Sequence, residues 1–393
     1  MIRNSLLLLF AAALAPALYA GPSSAPTSEP APAPAPAPEP ATVFGTTWFD
    51  ELKAKKDASG FPFTFGAWHW WRFGDDGPGS NGYGIPGLRG TYYWTVDVDP
   101  KLKLDGPFLR EVGLHAQIRL REEGTFRPFI GDEVWPWEVY GYAKTTSGTF
   151  KAGQIWKRFG LDWDGVFYGN VAYFDGFKLD PDLGVSWEYT FKQSDSFKVD
   201  TIAQFFIHED GINGSLVGSD SESTSLLREE NTAVLRVIPT WTFSDGSSLA
   251  LGLTGSIGDI EGQGPGSFDD DYTAWAVDLT YTRGNFKIFG EVAQSHGVIH
   301  PMRYVSGGPS DKLTDYLVGA SYKTGPVTWR VNYSAGYDEN PDGEQSLFLP
   351  GVTIALTPNV DLYAEYVKWV VDPDNGPEVD YEDGYQLILN WRF

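Results

Sequence analysis

A strict two-residue alternation of apolar and polar side chains is the feature that most limits the folds open to this chain. It is clearest from Val327 to Tyr337, where eleven residues alternate without a break. Val, Trp, Tyr and Ala occupy one face of this segment, whereas Thr, Arg, Asn, Ser and Gly occupy the other. Eleven alternating residues are about the length that a tilted β-strand needs to cross a bilayer. The segment is therefore predicted to be a strand with one face in lipid.

The positions of arginine indicate which face of these strands points inwards. The same alternation recurs over residues 109–121, where Arg119 and Arg121 share the polar face, and over residues 385–393 at the C-terminus. An arginine on the lipid face near the middle of a bilayer would cost roughly 2–4 kcal/mol. The faces that carry arginine are therefore predicted to line the inside of a closed barrel.

Short and long connections follow one another along the chain. The short ones carry tight-turn residues, as in residues 145–148 and 244–247. The long ones cover approximately residues 73–89, 122–133, 158–182, 209–229, 258–271, 297–313, 338–349 and 372–380. Short turns on one rim and long loops on the other are typical of outer-membrane barrels. A soluble β-sandwich or propeller, the alternative fold, explains the alternation but not the two classes of connection.

Sixteen segments fit this pattern, so the chain is predicted to be all-β, a transmembrane antiparallel β-barrel of about 16 strands. The predicted strands are residues 63–73, 90–98, 108–121, 134–144, 148–157, 183–192, 196–208, 230–243, 248–257, 272–282, 286–296, 314–323, 326–337, 350–357, 360–371 and 381–393. Residues 166–174 offer a further strand, so 18 strands is the alternative count. With an even count, Pro62 and Phe393 fall on the same rim, as closure requires.

The first 61 residues differ in composition from the barrel segment. Residues 1–20 are predicted to be a cleaved signal peptide, because Arg3 precedes a short apolar run and small residues follow it. Residues 21–61 are predicted to be a Pro- and Ala-rich periplasmic spacer that ends in a short helix over residues 48–56, with Thr47 as its N-cap. The barrel then occupies residues 62–393.

Charge and cysteine content exclude several classes of function. The net charge of -23 argues against nucleic acid as a partner. The absence of cysteine excludes disulfides, thiol chemistry and the usual structural zinc sites. The five histidines show no metal-binding spacing, and no nucleophile motif is present. We therefore expect no metal, no cofactor and no enzymatic activity.

The C-terminal segment, residues 385–393, alternates strictly and ends in Trp391-Arg392-Phe393. In this respect the chain resembles the outer-membrane porin superfamily of Gram-negative bacteria, in which such a segment, here with Trp391 and Phe393, is the signal for barrel assembly. The resemblance implies a water-filled channel for passive diffusion of small hydrophilic solutes and ions. It also implies a homotrimer in the outer membrane, in contact with lipid and lipopolysaccharide, with a long third loop folded into the lumen.

That third connection, residues 158–182, is aromatic, glycine-rich and acidic. Acids on one side of a constriction and cations on the other would create a transverse field that orients dipolar solutes. The predicted constriction contains Asp162, Asp164, Asp175, Asp180 and Asp182, opposed by Arg72, Arg119, Arg121, Lys157, Arg158, Arg236 and Arg330. The alternative interpretation is that some of these charges are paired ions that brace the barrel wall.

Aromatic residues near the constriction suggest a more specific channel. The aromatic faces of Trp156, Trp163, Tyr168 and Tyr173 could stack on sugar rings, so a carbohydrate-selective porin is one alternative. Another alternative is a non-conducting structural barrel tethered to the cell wall through residues 21–41. An enzyme built on a barrel and a large active transporter are disfavoured, because the chain has no catalytic constellation and no N-terminal plug domain.

Overall fold

The computed structural model describes a closed barrel within one compact unit, Thr42–Phe393. The described residues are 42–45, 47–76, 88–121, 134–161, 169–171, 181–208, 227–262, 269–296, 312–339, 342–373 and 378–393. One helix precedes the strands, α1 (Trp48–Ala58). The strands are β1 (Phe63–Asp76), β2 (Leu88–Val98), β3 (Lys101–Lys103), β4 (Leu109–Arg121), β5 (Val134–Thr145), β6 (Gly148–Trp156), β7 (Pro181–Ser194), β8 (Phe197–His208), β9 (Leu227–Thr242), β10 (Ser248–Gly262), β11 (Asp269–Arg283), β12 (Phe286–His296), β13 (Leu313–Thr324), β14 (Val327–Glu339), β15 (Asp342–Thr357), β16 (Val360–Pro373) and β17 (Val379–Arg392).

The strands form a single antiparallel sheet that closes on itself. Each strand pairs with its neighbours in the chain, and β1 pairs with β17 from Gly66 opposite Arg392 to Asp76 opposite Glu382. Strands β2 and β3 both pair with β4, so they share one position in the wall. The barrel therefore has sixteen strand positions, which confirms the predicted count; residues 169–171, the described part of the alternative extra strand, are not in the sheet.

The two faces of the wall have the polarity predicted from arginine. In β14, Trp329 and Tyr333 are 57% and 45% exposed, whereas Asn332 and Ser334 are 2% and 3% exposed. Large apolar side chains thus cover the outside, and polar side chains point inwards. This is the inverse of a soluble protein and suits a barrel surrounded by lipid.

One predicted connection is wrong. Residues 338–349 were expected to form a long loop, but β14 runs to Glu339 and β15 begins at Asp342, with these two residues paired. The error arises because Leu347 and Leu349, which are 0% and 1% exposed, lie on the inner face of β15, where polar residues were expected. They pack against other buried apolar residues inside the wall, including Val171 and Trp369.

The seam between the first and last strands closes at the C-terminal residue. The Phe65 N–H donates to the Phe393 carbonyl at 2.6 Å, and the Phe393 N–H donates to the Phe65 carbonyl at 2.5 Å. On the outside, the Trp391 ring meets the Trp94 ring edge-on, with centroids 5.3 Å apart. Both residues of the predicted assembly signal therefore lie in the seam, while their role in assembly stays a prediction.

Helix α1 has the predicted N-cap. The Thr47 N–H and hydroxyl both donate to the Asp50 carboxylate, at 2.9 and 2.6 Å. An acidic residue at the third position of a helix that accepts from the N-cap backbone satisfies a polar group at the helix start and fixes where the helix begins. Its Trp48 side chain is 74% exposed. No helix among the described residues is long and apolar enough to span a membrane.

The N-terminal segment is attached to the rim of short turns. The N–H groups of Val43 and Phe44 donate to the carbonyls of Ala355 and Leu356, at 2.9 and 2.8 Å. The Asp50 carboxylate also accepts hydrogen bonds from the turn between β15 and β16, where it contacts Thr357 Oγ1 at 3.1 Å and Asn359 Nδ2 at 2.6 Å. Lys56 Nζ donates to the Phe63 carbonyl at 2.7 Å, at the start of β1. Helix α1 thus bridges the rim from the β15–β16 turn to β1.

Candidate pore lining and third connection

The third connection joins β6 to β7, and residues 157–161 and 169–171 of it are described. Its backbone N–H groups donate to side chains of the barrel wall. Arg158 N lies 2.7 Å from Gln204 Oε1, Gly160 N lies 3.3 Å from Thr254 Oγ1, and Val171 N lies 3.1 Å from Ser334 Oγ. A fourth bond joins the N–H of Leu161 to the Glu291 carboxylate.

These four contacts come from alternate strands of the wall. Gln204, Thr254, Glu291 and Ser334 belong to β8, β10, β12 and β14 in turn, and all are among the inward-facing polar residues. Strand β14 lies eight positions from β6 in the sixteen-position barrel, on the opposite side. That the connection as a whole folds into the lumen and narrows it stays a prediction, because residues 162–168 and 172–180 lie outside the described residues.

A glycine makes the contact with Glu291 feasible. Gly160 has φ of +62°, a left-handed conformation that residues with a Cβ adopt at a cost. A Cβ at this position would also clash with the carboxylate of Glu291. With glycine, the carboxylate can lie against the backbone and accept the following N–H. The sequence at this turn is therefore constrained twice, by conformation and by space.

A buried ion pair supports the same part of the wall. Arg236 Nη1 lies 2.6 Å from Asp278 Oδ2, and both side chains are 4% exposed. The same nitrogen donates to Thr254 Oγ1 at 2.8 Å, and this oxygen is the acceptor for Gly160. Arg236 was predicted as a constriction cation; its burial fits the alternative interpretation, an ion that braces the wall. Removing one member of such a pair leaves an uncompensated buried charge.

The far end of the described connection makes an apolar contact. Val171 is fully buried with side chains from β15 and β16. These side chains are Leu347, Leu349, Val367, Trp369 and Val371. Apolar residues on an otherwise polar inner face need to be covered, and Val171 of the third connection packs on them here. This packing also explains why the alternation is disturbed in β15.

Two predicted site residues, Arg119 and Trp156, meet through Trp137, which was not among the predicted site residues. The guanidinium carbon of Arg119 lies 3.7 Å from the ring centroid of Trp137 and 5.3 Å from that of Trp68. Trp137 in turn meets Trp156 edge-on, with centroids 5.2 Å apart. Arg119 and Trp156 are thus parts of one aromatic cluster. The register between β4 and β5 is irregular here, because Gln117 pairs with Glu138 and Ile118 pairs with Pro136. Trp137 lies between the two pairs, so simple alternation along β5 does not predict the direction of its side chain.

Three further predicted residues, Lys157, Asp182 and Arg330, have described surroundings. Lys157 and Asp182, at the two ends of the connection, are 2% and 8% exposed. Arg330 is the fourth residue of β14 and lies close to the short turn that precedes this strand. Its side chain donates to Thr353, and its guanidinium carbon is 5.7 Å from the Tyr363 ring centroid. The remaining residues lie in strands whose side chains are not described (Arg72, Arg121) or outside the described residues (Asp162, Asp164, Asp175, Asp180, Trp163, Tyr168, Tyr173).

The two halves of the inner wall differ in how their charges are used. On β4 to β8, carboxylates pair with lysines in partly exposed positions: Glu111 with Lys144 at 2.8 Å, Glu188 with Lys151 at 2.6 Å, and Asp200 with Lys198 at 2.7 Å. On β11 to β16, five carboxylates are buried: Asp278, Glu291, Asp315, Asp338 and Glu365 are each at most 5% exposed. In the part of the chain that the structure describes, no group of acids and histidines could hold a metal ion.

Solved structures of outer-membrane proteins share this fold. Pseudomonas putida OprB superposes with a TM-score of 0.58 at 10% identity, covering 90% of this chain and 99% of that one. Salmonella typhi OmpF, in complex with daunomycin, gives 0.58 at 11% identity, covering 84% and 97%. Vibrio cholerae OmpT, in its trimer form, gives 0.56 at 16% identity, covering 84% and 98%. At these identities the likeness shows the fold alone.

Sequence comparison supplies the family. No curated protein sequence matches the chain. The sequence profile of the Gram-negative porins matches residues 148–368, which is more than half of the chain. This range begins with β6 and includes the third connection, the buried Arg236–Asp278 pair and Glu291. The chain therefore belongs to the Gram-negative porin family and is an outer-membrane protein.

Proposed function

We propose that the barrel is a water-filled channel through which small hydrophilic solutes and ions diffuse passively across the outer membrane. The observation that carries the proposal is the polarity of the wall. Inward-facing residues such as Asn332, Ser334 and Gln386 are amides and hydroxyls, whereas outward-facing ones such as Trp329 and Val331 are apolar. A barrel built to be filled by its own side chains would have apolar residues inside, as soluble barrels do.

The third connection is proposed to be the constriction of this channel. Its described residues are held by four wall side chains and by the apolar cluster around Val171. So many contacts fix the start and the middle of the connection against the inner wall. The acidic residues between them would then lie in the path of a solute, opposite the lysine pairs of β5 to β8.

We also propose that the channel has no catalytic activity and that it assembles as a homotrimer among lipid and lipopolysaccharide. A single observation favours each statement. The buried Arg236 and Asp278 side chains of the wall are paired with each other, as in a structural ion pair. The OmpT relative is named as a trimer. Chemical cross-linking of the detergent-extracted protein, followed by mass determination, would test the trimer.

Carbohydrate selectivity is a second candidate, favoured by the aromatic cluster. Trp68, Trp137 and Trp156 lie within contact of one another or of Arg119. Flat aromatic faces beside a hydrogen-bond donor are suited to sugar rings, whose C–H faces are apolar and whose hydroxyls are polar. A saturable decrease in conductance on addition of a sugar would favour this candidate over a general channel.

Single-channel conductance of the refolded protein in a planar bilayer tests the proposal. Steady, ohmic openings in KCl are expected, and the reversal potential in a KCl gradient gives the ion preference. A folded barrel without conductance would refute the channel. In that case the structural alternative is tested by deleting residues 21–41, which should weaken attachment to the cell envelope.

A further inference from the structure

The outer face of β1 carries a histidine in the middle of its apolar band. Trp71 and Phe73 point outwards and are 37% and 39% exposed. His69 has the same parity along the strand, whereas Trp68 points inwards, where it lies against Arg119. His69 is the seventh of the fourteen residues of β1. The histidine therefore faces outwards at about half the height of the wall.

Aromatic and apolar side chains surround His69 on this face. Its ring stacks on Trp71, with centroids 6.1 Å apart, and meets the Trp94 ring of β2 edge-on at 6.2 Å. Across the closing seam, His69 pairs with Leu389 of β17. An imidazole carries at least one N–H group, and lipid tails offer no acceptor for it. Ionisable residues at this depth usually face protein and not lipid.

The opposite side of the barrel has a different surface. Strand β10 lies eight positions from β1, and its outward residue Leu253 is 46% exposed. The cross-strand neighbours of Leu253 are Val237 of β9 and Val277 of β11, which are apolar as well. Such a surface suits contact with lipid tails. His69 therefore distinguishes one side of the barrel from the other.

A charged cluster lies on the same side as His69, near the rim of long connections. Lys368 of β16 alternates with the buried, inward-facing Val367 and Trp369, so it points outwards. Its Nζ lies 2.8 Å from Asp380 Oδ1 and 2.9 Å from Asp383 Oδ2. One lysine with two aspartates gives the cluster a net negative charge. The phosphate groups of lipopolysaccharide would be repelled by it, whereas a protein surface can be complementary to it.

We propose that the outer face of β16, β17, β1 and β2, which we call the His69 face, binds a second copy of this chain. His69 donates a hydrogen bond across this contact. The inference rests on the homotrimer proposed above and adds which face and which polar side chain make the contact. In a ring of three copies the contact is heterologous, so His69 meets a different residue of the neighbouring copy. Lipid is the alternative occupant of the face.

The first test measures contact with lipid in the full chain. The sequence has no cysteine, so a single introduced cysteine is labelled specifically. Trp71→Cys reports on the His69 face, and Leu253→Cys reports on the opposite side. Each labelled protein is placed in phospholipid vesicles that contain a spin-labelled lipid, which quenches a fluorophore in contact with it. We expect a large loss of fluorescence for the label at position 253 and a small loss at position 71.

The outcomes of this test separate the two occupants. Weak quenching at position 71 alone supports the contact between copies, and so does a label that dissociates the trimer at position 71 but not at position 253. Strong quenching at both positions in an intact trimer would overturn the inference and leave the homotrimer standing. A native protein with the mass of a monomer would overturn the homotrimer as well. The channel is tested separately by its KCl conductance.

The second test concerns the hydrogen bond of His69. The variant is His69→Leu, and its matched control is Leu253→His, which places a histidine on the opposite side. Loss of the bond should accelerate dissociation of the detergent-extracted trimer about five- to tenfold, while the control dissociates like the native protein. KCl conductance of both variants shows that the barrels fold. If His69 faced lipid, leucine would suit the position better, and an unchanged or slower dissociation of His69→Leu would overturn its role.

Discussion

Two segments that are not strands of the barrel wall, the third connection and helix α1, are attached to it in different ways. The third connection is held inside by buried groups, among them Thr254, Glu291 and the Arg236–Asp278 pair. Helix α1 is held at the rim of short turns, where the buried Asp50 side chain is hydrogen-bonded to the β15–β16 turn. The first attachment contains an ion pair whose two side chains are 4% exposed, whereas the second is made by hydrogen bonds at the edge of the barrel.

The difference indicates which attachment must persist for as long as the barrel is folded. A polar group buried without a partner costs its full desolvation free energy, so the inner contacts cannot be lost one at a time without penalty. At the rim, water can bond to the groups of helix α1 and of the β15–β16 turn once the helix has detached. We therefore expect the third connection to stay in place as long as the barrel is folded, and helix α1 to detach without unfolding it.

The largest effect on the free energy of unfolding is expected from Arg236→Gln. This change leaves Asp278, which is 3% exposed, without its cation, and breaking a buried pair in this way costs about 3–5 kcal/mol. It also removes the donor that positions Thr254 for Gly160. The midpoint of urea unfolding in detergent micelles should fall clearly, and the conductance of the surviving channels should become noisy.

The matched control for that change is Arg283→Gln. Arg283 forms an exposed pair with Asp245 at 3.4 Å, and such pairs contribute about 0–1 kcal/mol. The double variant Arg236→Gln, Asp278→Asn should recover part of the stability lost in the single variant, because neither charge then stays buried alone. Equal effects of Arg236→Gln and Arg283→Gln would show that the inner attachment is no stronger than the rim.

The second effect concerns the turn of the third connection. Gly160→Ala should shift the connection, because the added Cβ meets the carboxylate of Glu291 as well as an unfavourable φ. Gly246→Ala is the matched control, since Gly246 also has a positive φ, +78°, but has open space around it. Both changes should cost about 1–3 kcal/mol for backbone strain, and only the first should alter single-channel conductance. Unaltered conductance in Gly160→Ala would separate the connection from the conducting path.

The barrel was predictable because each strand repeats one local pattern. Residues two apart share a face, so Val327 to Tyr337 specifies a strand whatever the rest of the chain does. The prediction failed where that pattern depends on distant partners. In β15, Leu347 and Leu349 face inwards because Val171, far away in sequence, covers them. No local rule for an outer-membrane strand anticipates such a cover.

The attachments of the third connection could not be predicted for a similar reason. Gly160 and Thr254 are 94 residues apart, and Val171 and Ser334 are 163 residues apart. In the sequence, Thr254 and Ser334 look like any other polar residues of an inner face. The arginines were visible as inward-facing residues, but whether one faces a solute or a buried carboxylate depends on the neighbouring strand. For Arg236, the strand register answers the question, because it places the residue opposite Thr254 and within reach of the buried Asp278 carboxylate.

The third effect is smaller and tests the rim. Burial disfavours the charged form of Asp50, but hydrogen bonds from Thr47, Asn359 and Thr357 outweigh it and hold the pKa of this carboxyl below its usual 3.8. The attachment is therefore complete at pH values above about 4 and is lost as the pH falls through the lowered pKa. Asp50→Asn should weaken it by about 1 kcal/mol at neutral pH. Trypsin cleavage within α1 should accelerate, while the barrel resists.

Glu51→Gln is the control for the rim. Glu51 is the next residue after Asp50 and is exposed. Among the hydrogen bonds of the described residues, the bonds from the helix to Thr357 and Asn359 are those of Asp50 and not of Glu51. Its cleavage rate should match that of the native protein. If Asp50→Asn also lowered the unfolding midpoint of the barrel, helix α1 would belong to the fold as much as the third connection does.

The smallest effect is expected from Lys53→Gln, which removes an ion pair within the helix itself. Lys53 Nζ lies 2.5 Å from Asp57 Oδ2 one turn later, and both side chains are partly exposed. Pairs at this spacing stabilise a helix by about 0.2–0.5 kcal/mol. Cleavage by an acid-specific protease, which does not depend on Lys53, should therefore change little. If it accelerated as much as in Asp50→Asn, the internal stability of α1, and not its bonds to the β15–β16 turn, would keep the segment folded at the rim.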